Sequence, residues 1–116
     1  MHSDPTKSAL FDVRDNIFSA REFVAGLDES AFRASRLHFY AVTRGLQIIS
    51  EASRRLPDEI LARHPSIPWR DIRVSDNVYR HHYDNVAEAR VWDTVQRHLA
   101  PLLVVAETEL KRLDVS

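Results

Sequence analysis

The stretch Leu37-His38-Phe39-Tyr40-Ala41-Val42-Thr43-Arg44-Gly45-Leu46-Gln47-Ile48-Ile49-Ser50-Glu51-Ala52-Ser53-Arg54-Arg55-Leu56 decides the fold. It runs without a proline and with a single glycine. Leu37, Tyr40, Ala41, Leu46, Ile48, Ile49, Ala52 and Leu56 give it one long apolar face at helical spacing. Asp28-Glu29-Ser30 supplies capping oxygens ahead of it, so the reading is one helix from there to Leu56. Pro57 then stops that helix or opens a short helical turn, Pro57 to His64, because proline fits best at a first helical position.

The same logic extends to both ends. A first helix is expected from about Thr6 or Lys7 to Ala25, with Leu10, Val13, Ile17, Phe18 and Val24 on its buried stripe and Gly26 as its stop. After the turn Pro65-Ser66-Ile67-Pro68, a third main helix should run from about Trp69 to Asp84, with Asn85 ending it. A fourth starts near Ala87 and carries Val91, Trp92 and Val95. Pro101 should kink or break it, since proline removes a helix hydrogen bond. Leu102, Leu103, Val104, Val105, Ala106 and Leu110 then complete the core to Leu113. Only two glycines and five prolines occur in 116 residues, which favours helix throughout and disfavours strand. The expectation is an all-α fold, an antiparallel bundle of four to five helices, as a single domain over residues 1–116.

Composition narrows the function. A chain of this length buries roughly 65% of its unfolded surface, enough for a core without covalent staples. Hydrophobic residues make up 44% and charged residues 28%, an ordinary globular balance. The 16 Lys and Arg against 17 Asp and Glu leave a formal charge of −1. No global basic field draws the chain to nucleic acid, so any RNA contact must be local. The absence of cysteine removes disulfides, thiolate zinc sites and cysteine nucleophiles. The start Met1-His2-Ser3-Asp4-Pro5 has no apolar signal core, and no apolar run approaches ~18 residues. A cytoplasmic protein without a membrane span is the expectation.

The chemistry concentrates in the third main helix. At about 100° per residue, Arg73, Asn77, Arg80, His81 and Asp84 fall within a sector of roughly 100°. Val74 and Val78 lie beside that sector, while Ile72, Tyr79 and Tyr83 point to the other side. Guanidinium groups grip phosphate in a planar fork and stay charged. Imidazole moves a proton near neutral pH and is the natural acid or base beside them. The ordinary reading of such a cluster is a solvated helix face.

Several separate segments change that weighting. Pro68-Trp69-Arg70-Asp71-Ile72, then Asp76-Asn77-Val78-Tyr79-Arg80-His81-His82-Tyr83, then Val91-Trp92 resemble the HepT-like branch of the HEPN superfamily. Arg44-Gly45-Leu46-Gln47-Ile48-Ile49-Ser50-Glu51-Ala52 is similar to its second helix, where the family reads Arg, apolar residues, then Gly-Glu-Ala. The likeness covers nearly the whole chain. It implies an all-α bundle that forms a homodimer, with motifs from two subunits meeting at one cleft, and metal-independent cleavage of an RNA substrate. It also implies a toxin held in check by a minimal nucleotidyltransferase antitoxin, which adds AMP to the motif tyrosine.

The family motif is Arg, four residues, His, one residue, Tyr. His81 matches its histidine, Tyr83 its tyrosine, and Asn77 the asparagine that follows the arginine. The arginine itself is replaced by Asp76, whose charge is opposite. Arg80 or Arg73, both nearer His81 around the helix, could supply the guanidinium instead. The alternative is a catalytically degenerate helical module that keeps its fold and binds a nucleotidyltransferase or a nucleotide.

Other constellations carry less. His81 and His82 with His38, His64 and His98 raise a metal site, but adjacent histidines point about 100° apart on a helix and no tight ligand spacing occurs. No metal and no cofactor are expected, and His82 reads as structural or exposed. Trp69 and Trp92 read as core or interface anchors. Arg44 and Glu51, seven residues apart, read as a buried ion pair or polar network between helices. Ser50 and Ser53 have no elbow context for a hydrolase nucleophile.

Overall fold

The computed structural model describes the backbone of residues 3–81 and 85–115, and the side chains of 5–75 and 87–114. Every element among the described residues is helical: α1 (Ser3–Val24), α2 (Glu29–Arg33), α3 (Arg36–Arg54), α4 (Asp58–Arg63), α5 (Trp69–His81), α6 (Asn85–Asp93) and α7 (Leu99–Val115). A five-residue π-helical turn, Thr94–His98, joins α6 to α7. The helices form an all-α bundle of 46 × 26 × 22 Å. Helix α1 packs on α3 and α7, α3 packs on α5, and short α2 lies against α3 and α6. No helix among the described residues is long and apolar enough to cross a membrane.

Helix α1 ends as its sequence requires. Gly26 adopts φ +82°, the left-handed conformation that closes a helix, and the Leu27 amide donates to the Val24 carbonyl at 2.9 Å. Leu10, Val13, Ile17 and Val24 are buried, but Phe18 is 45% exposed and lies outside the stripe expected for it.

The long second helix is broken. Asp28 caps α2, its carboxylate accepting from the Ala31 amide at 2.8 Å. Ser35 then starts a new helix, its hydroxyl accepting from the His38 amide at 3.2 Å. A serine three residues ahead of a free amide competes with continuing the first helix. The break lets Phe32 turn inward to full burial against Phe39 and Trp92, at ring separations of 6.3 and 5.5 Å. Leu37, counted on the apolar face, is 75% exposed.

Pro57 caps α4 from outside the helix and does not form its first residue. Asn85 opens α6 where it was expected to end the helix before it. Pro101 sits inside α7, so the helix is not broken there. Proline offers no N–H to the preceding turn, and the π turn at Thr94–His98 lies directly upstream, where such a mismatch is absorbed.

Candidate active site

Helix α5 is aimed by its entry. The Trp69 ring is buried, and its indole Nε1 donates to the His64 carbonyl at 3.0 Å. The Ile67 amide donates to the same carbonyl at 3.2 Å, and the Ile72 amide donates to the Pro68 carbonyl at 3.1 Å. Trp69 therefore fixes both where the helix begins and what it leans on. Its expected role as a core anchor is met, and half-buried Trp92 packs on Phe32.

One turn into α5, Arg73 and Arg54 form a reciprocal clamp. Arg54 Nη1 donates to the Arg73 carbonyl at 2.7 Å and to the Ser50 hydroxyl at 3.2 Å, while Arg73 Nη2 donates to the Arg54 carbonyl at 3.4 Å. Arg54 is the last residue of α3, whose final carbonyls have no partner within the helix. The Arg73 guanidinium thus spends part of its donor capacity capping α3.

The backbone of α5 remains helical through His81. Arg73, Asn77 and His81 stand four residues apart on it, and Arg80 stands three after Asn77, the spacings that share a helix face. The side chains of Asp76, Asn77, Arg80 and His81 lie outside the described residues. So do His82, Tyr83 and Asp84 altogether.

A second polar node supports the same entry. Glu109 on α7 is 1% exposed. Its carboxylate accepts from Arg63 Nη2 at 2.6 Å and Arg63 Nε at 3.1 Å, and from His64 Nε2 at 2.6 Å. The Arg63 hydrogen bonds, joined by the one from His64, outweigh desolvation and hold Glu109 below the ordinary carboxylate range. The node ties α4 and His64 to α7, and His64 in turn carries the carbonyl on which Trp69 rests. A signal for it exists in the sequence. Glu109 interrupts the apolar row Leu102, Val105, Ala106, Leu110 and Leu113, and an acid on a buried stripe demands a cation.

Arg44 and Glu51 do not form the buried pair expected of them; both are exposed. Ser50 and Ser53 are buried, with the Ser53 hydroxyl donating to the Ser50 carbonyl at 2.6 Å. Among the described residues no cluster of three or more metal-ligating side chains occurs.

Residues 13–109 match the family described as Ribonuclease HepT-like. The chain belongs to that family. The match includes α3, α5 and the segment that joins α5 to α6, so the HepT-like likeness does not rest on the His-containing motif alone. Curated relatives agree. The chain is 31% identical over 96 residues to "Probable ribonuclease HepT" of Thermococcus cleftensis, covering 83% of this chain and 87% of the relative. It is 28% identical over 96 residues to "Putative RNase MJ1380" of Methanocaldococcus jannaschii, covering 83% and 88%. It is 30% identical over 81 residues to "Putative RNase TTE0752" of Caldanaerobacter subterraneus, covering 70% and 72%. No solved structure gives a significant match.

Proposed function

We propose that this HepT-like chain is a metal-independent RNA endonuclease whose reacting groups stand on α5. Membership of a ribonuclease family over residues 13–109 carries the reading, and the unbroken helix from Trp69 to His81 supports it by keeping Asn77, Arg80 and His81 in register. Cleavage requires a base at the 2′-hydroxyl, an acid at the departing 5′-oxygen, and positive charge at the phosphorane between them. His81 supplies the proton transfers, Arg80 the charge, and Asn77 a hydrogen-bonding amide. Arg73 adds to the field from the next turn while holding α3. One imidazole per chain is too few for acid and base together, so two chains share the site as a homodimer. In its cellular role the chain is a toxin neutralised by a nucleotidyltransferase antitoxin, which transfers AMP from ATP to the Tyr83 hydroxyl with release of pyrophosphate.

A second reading has specific support. Asp76 stands where the family arginine stands, and Arg73, one of its two candidate replacements, is engaged at the Arg54 carbonyl. On this reading the chain is a non-catalytic partner-binding module.

Cleavage of a fluorescent RNA by the purified chain separates the two. If it is a nuclease, wild type cleaves with EDTA present, His81→Ala and Arg80→Ala each lose activity by about 10²-fold or more, and Asp76→Asn matches or exceeds wild type. A wild type with no cleavage, still able to bind a nucleotidyltransferase encoded beside it, would establish the second reading. Activity that EDTA removes and added metal restores would overturn the mechanism.

A further inference from the structure

A cavity of about 510 Å³ lies between α3, the entry to α5, the π turn and the start of α7. Asp71, Ile72 and Ser75 form its α5 wall. At 100° per residue these positions lie roughly 120–160° around the helix from Asn77, so the cavity backs the proposed reacting sector and is not part of it. The floor is apolar: Leu46 and Ile49 of α3, Leu99 and Leu102 of α7, all buried. This size and lining suit the apolar body of a small organic molecule.

The rim sets the other half of the ligand. The Ser75 hydroxyl donates to the Ile72 carbonyl at 2.8 Å, and the Thr94 hydroxyl donates to the Arg90 carbonyl at 2.8 Å. Each hydrogen is committed to its own helix, which leaves the oxygen as an acceptor. Asp71, exposed at the mouth, adds an acceptor-only carboxylate. Pro101, on the opposite wall, brings no N–H. Ser66 and His98 complete the rim, the His98 Nε2 lying 3.3 Å from the Asp93 carboxylate. An apolar floor beside the Asp71 carboxylate and two hydroxyl acceptors favours a ligand with an apolar body, such as a ring, and a positively charged donor.

We propose that this cavity binds a small organic cation carrying an apolar ring, with the ring on the Leu46–Leu99 floor and the ammonium group at Asp71. The site does not depend on α5 being catalytic. Because α3, α5 and the π turn each provide a wall, an occupant braces α5 from behind.

Three compounds with an indole ring test it: tryptamine (cationic), tryptophol (neutral) and indole-3-propionate (anionic). Each is titrated into the full chain while the methyl signals of Leu46, Ile49, Leu99 and Leu102 are followed by NMR. Tryptamine is expected to shift these signals saturably and to bind about 1.5- to 5-fold more tightly than tryptophol, the range of an exposed charge pair. The anion should bind weakest. Asp71→Asn should equalise tryptamine and tryptophol, and Ser75→Phe, which fills the mouth, should remove both sets of shifts with helical circular dichroism retained. Shifts that never saturate, or a wild type indifferent to ligand charge, would overturn the proposal. So would tryptamine affinity unchanged by Asp71→Asn, a substitution at an exposed position that leaves the core intact.

Discussion

Glu109 is buried and accepts three side-chain hydrogen bonds. A carboxylate withdrawn from water is tolerable only with its lone pairs filled, and Arg63 and His64 fill them. Removing the acid would strand Arg63, which is 36% exposed and can recover part of its hydration. We therefore expect Glu109→Ala to cost about 3 kcal/mol, at the lower end for a broken buried pair, read as a lowered urea midpoint. The depressed pKa sets the sign with pH. The carboxylate's stabilisation is full above the ordinary value near 4.5 and is lost as pH falls through the lower folded value. Wild type should thus weaken on acidification below that range, and Glu109→Gln should weaken less steeply over the same interval. Equal pH slopes for the two proteins would argue that other carboxylates govern acid unfolding.

Caps and clamps decide the arrangement of the elements. Ser35 separates α2 from α3 by offering its hydroxyl to the His38 amide. A capping serine replaced by alanine loses about 1 kcal/mol. Ser35→Ala should show that loss in chemical denaturation, and Ser35→Asp, which restores an acceptor, should regain most of it. If both variants match wild type, the break is held by Phe32 packing and not by the cap. At the other end of α3, the mutual grip of Arg54 and Arg73 sets how α5 lies beside it. That grip uses main-chain carbonyls on both sides, so it fixes axial position as well as distance.

At the scale of the whole molecule, the bundle leaves apolar surface on the helices that matter most. Val74 on α5 is 51% exposed, and Leu37 and Tyr40 on α3 are 75% and 44% exposed. Val74 stands three residues ahead of Asn77, on the helix that the shared-site mechanism needs at a subunit interface. Light scattering at micromolar concentration should give twice the 13.4 kDa of one chain. Val74→Glu should shift that value toward one chain without changing helicity, since an unpaired charge in an apolar contact opposes association. A wild type of 13.4 kDa at that concentration would remove the composite site.

Periodicity and breakers by themselves determined the fold class, the stop at Gly26, the short helix after Pro57, and the helix that begins at Trp69. Each depends on local chemistry: a left-handed glycine, a missing N–H, an apolar residue every third or fourth position. The resemblance of several segments likewise suffices to place the chain in its family without reference to packing. Tertiary structure decided what local signals leave balanced. Whether Ser35 interrupts a helix depends on Phe32 finding Phe39 and Trp92, and whether Phe18 and Leu37 are core depends on which neighbours reach them. The burial of Glu109 beside Arg63, 46 residues away in sequence, and the capping of α3 by Arg73, 19 residues on, arise from helix packing. The apolar row of α7 marks Glu109 as needing a cation, but no spacing along one helix picks out Arg63 or the Arg54 carbonyl as the partner, because each pairing joins groups that only the folded chain brings within reach.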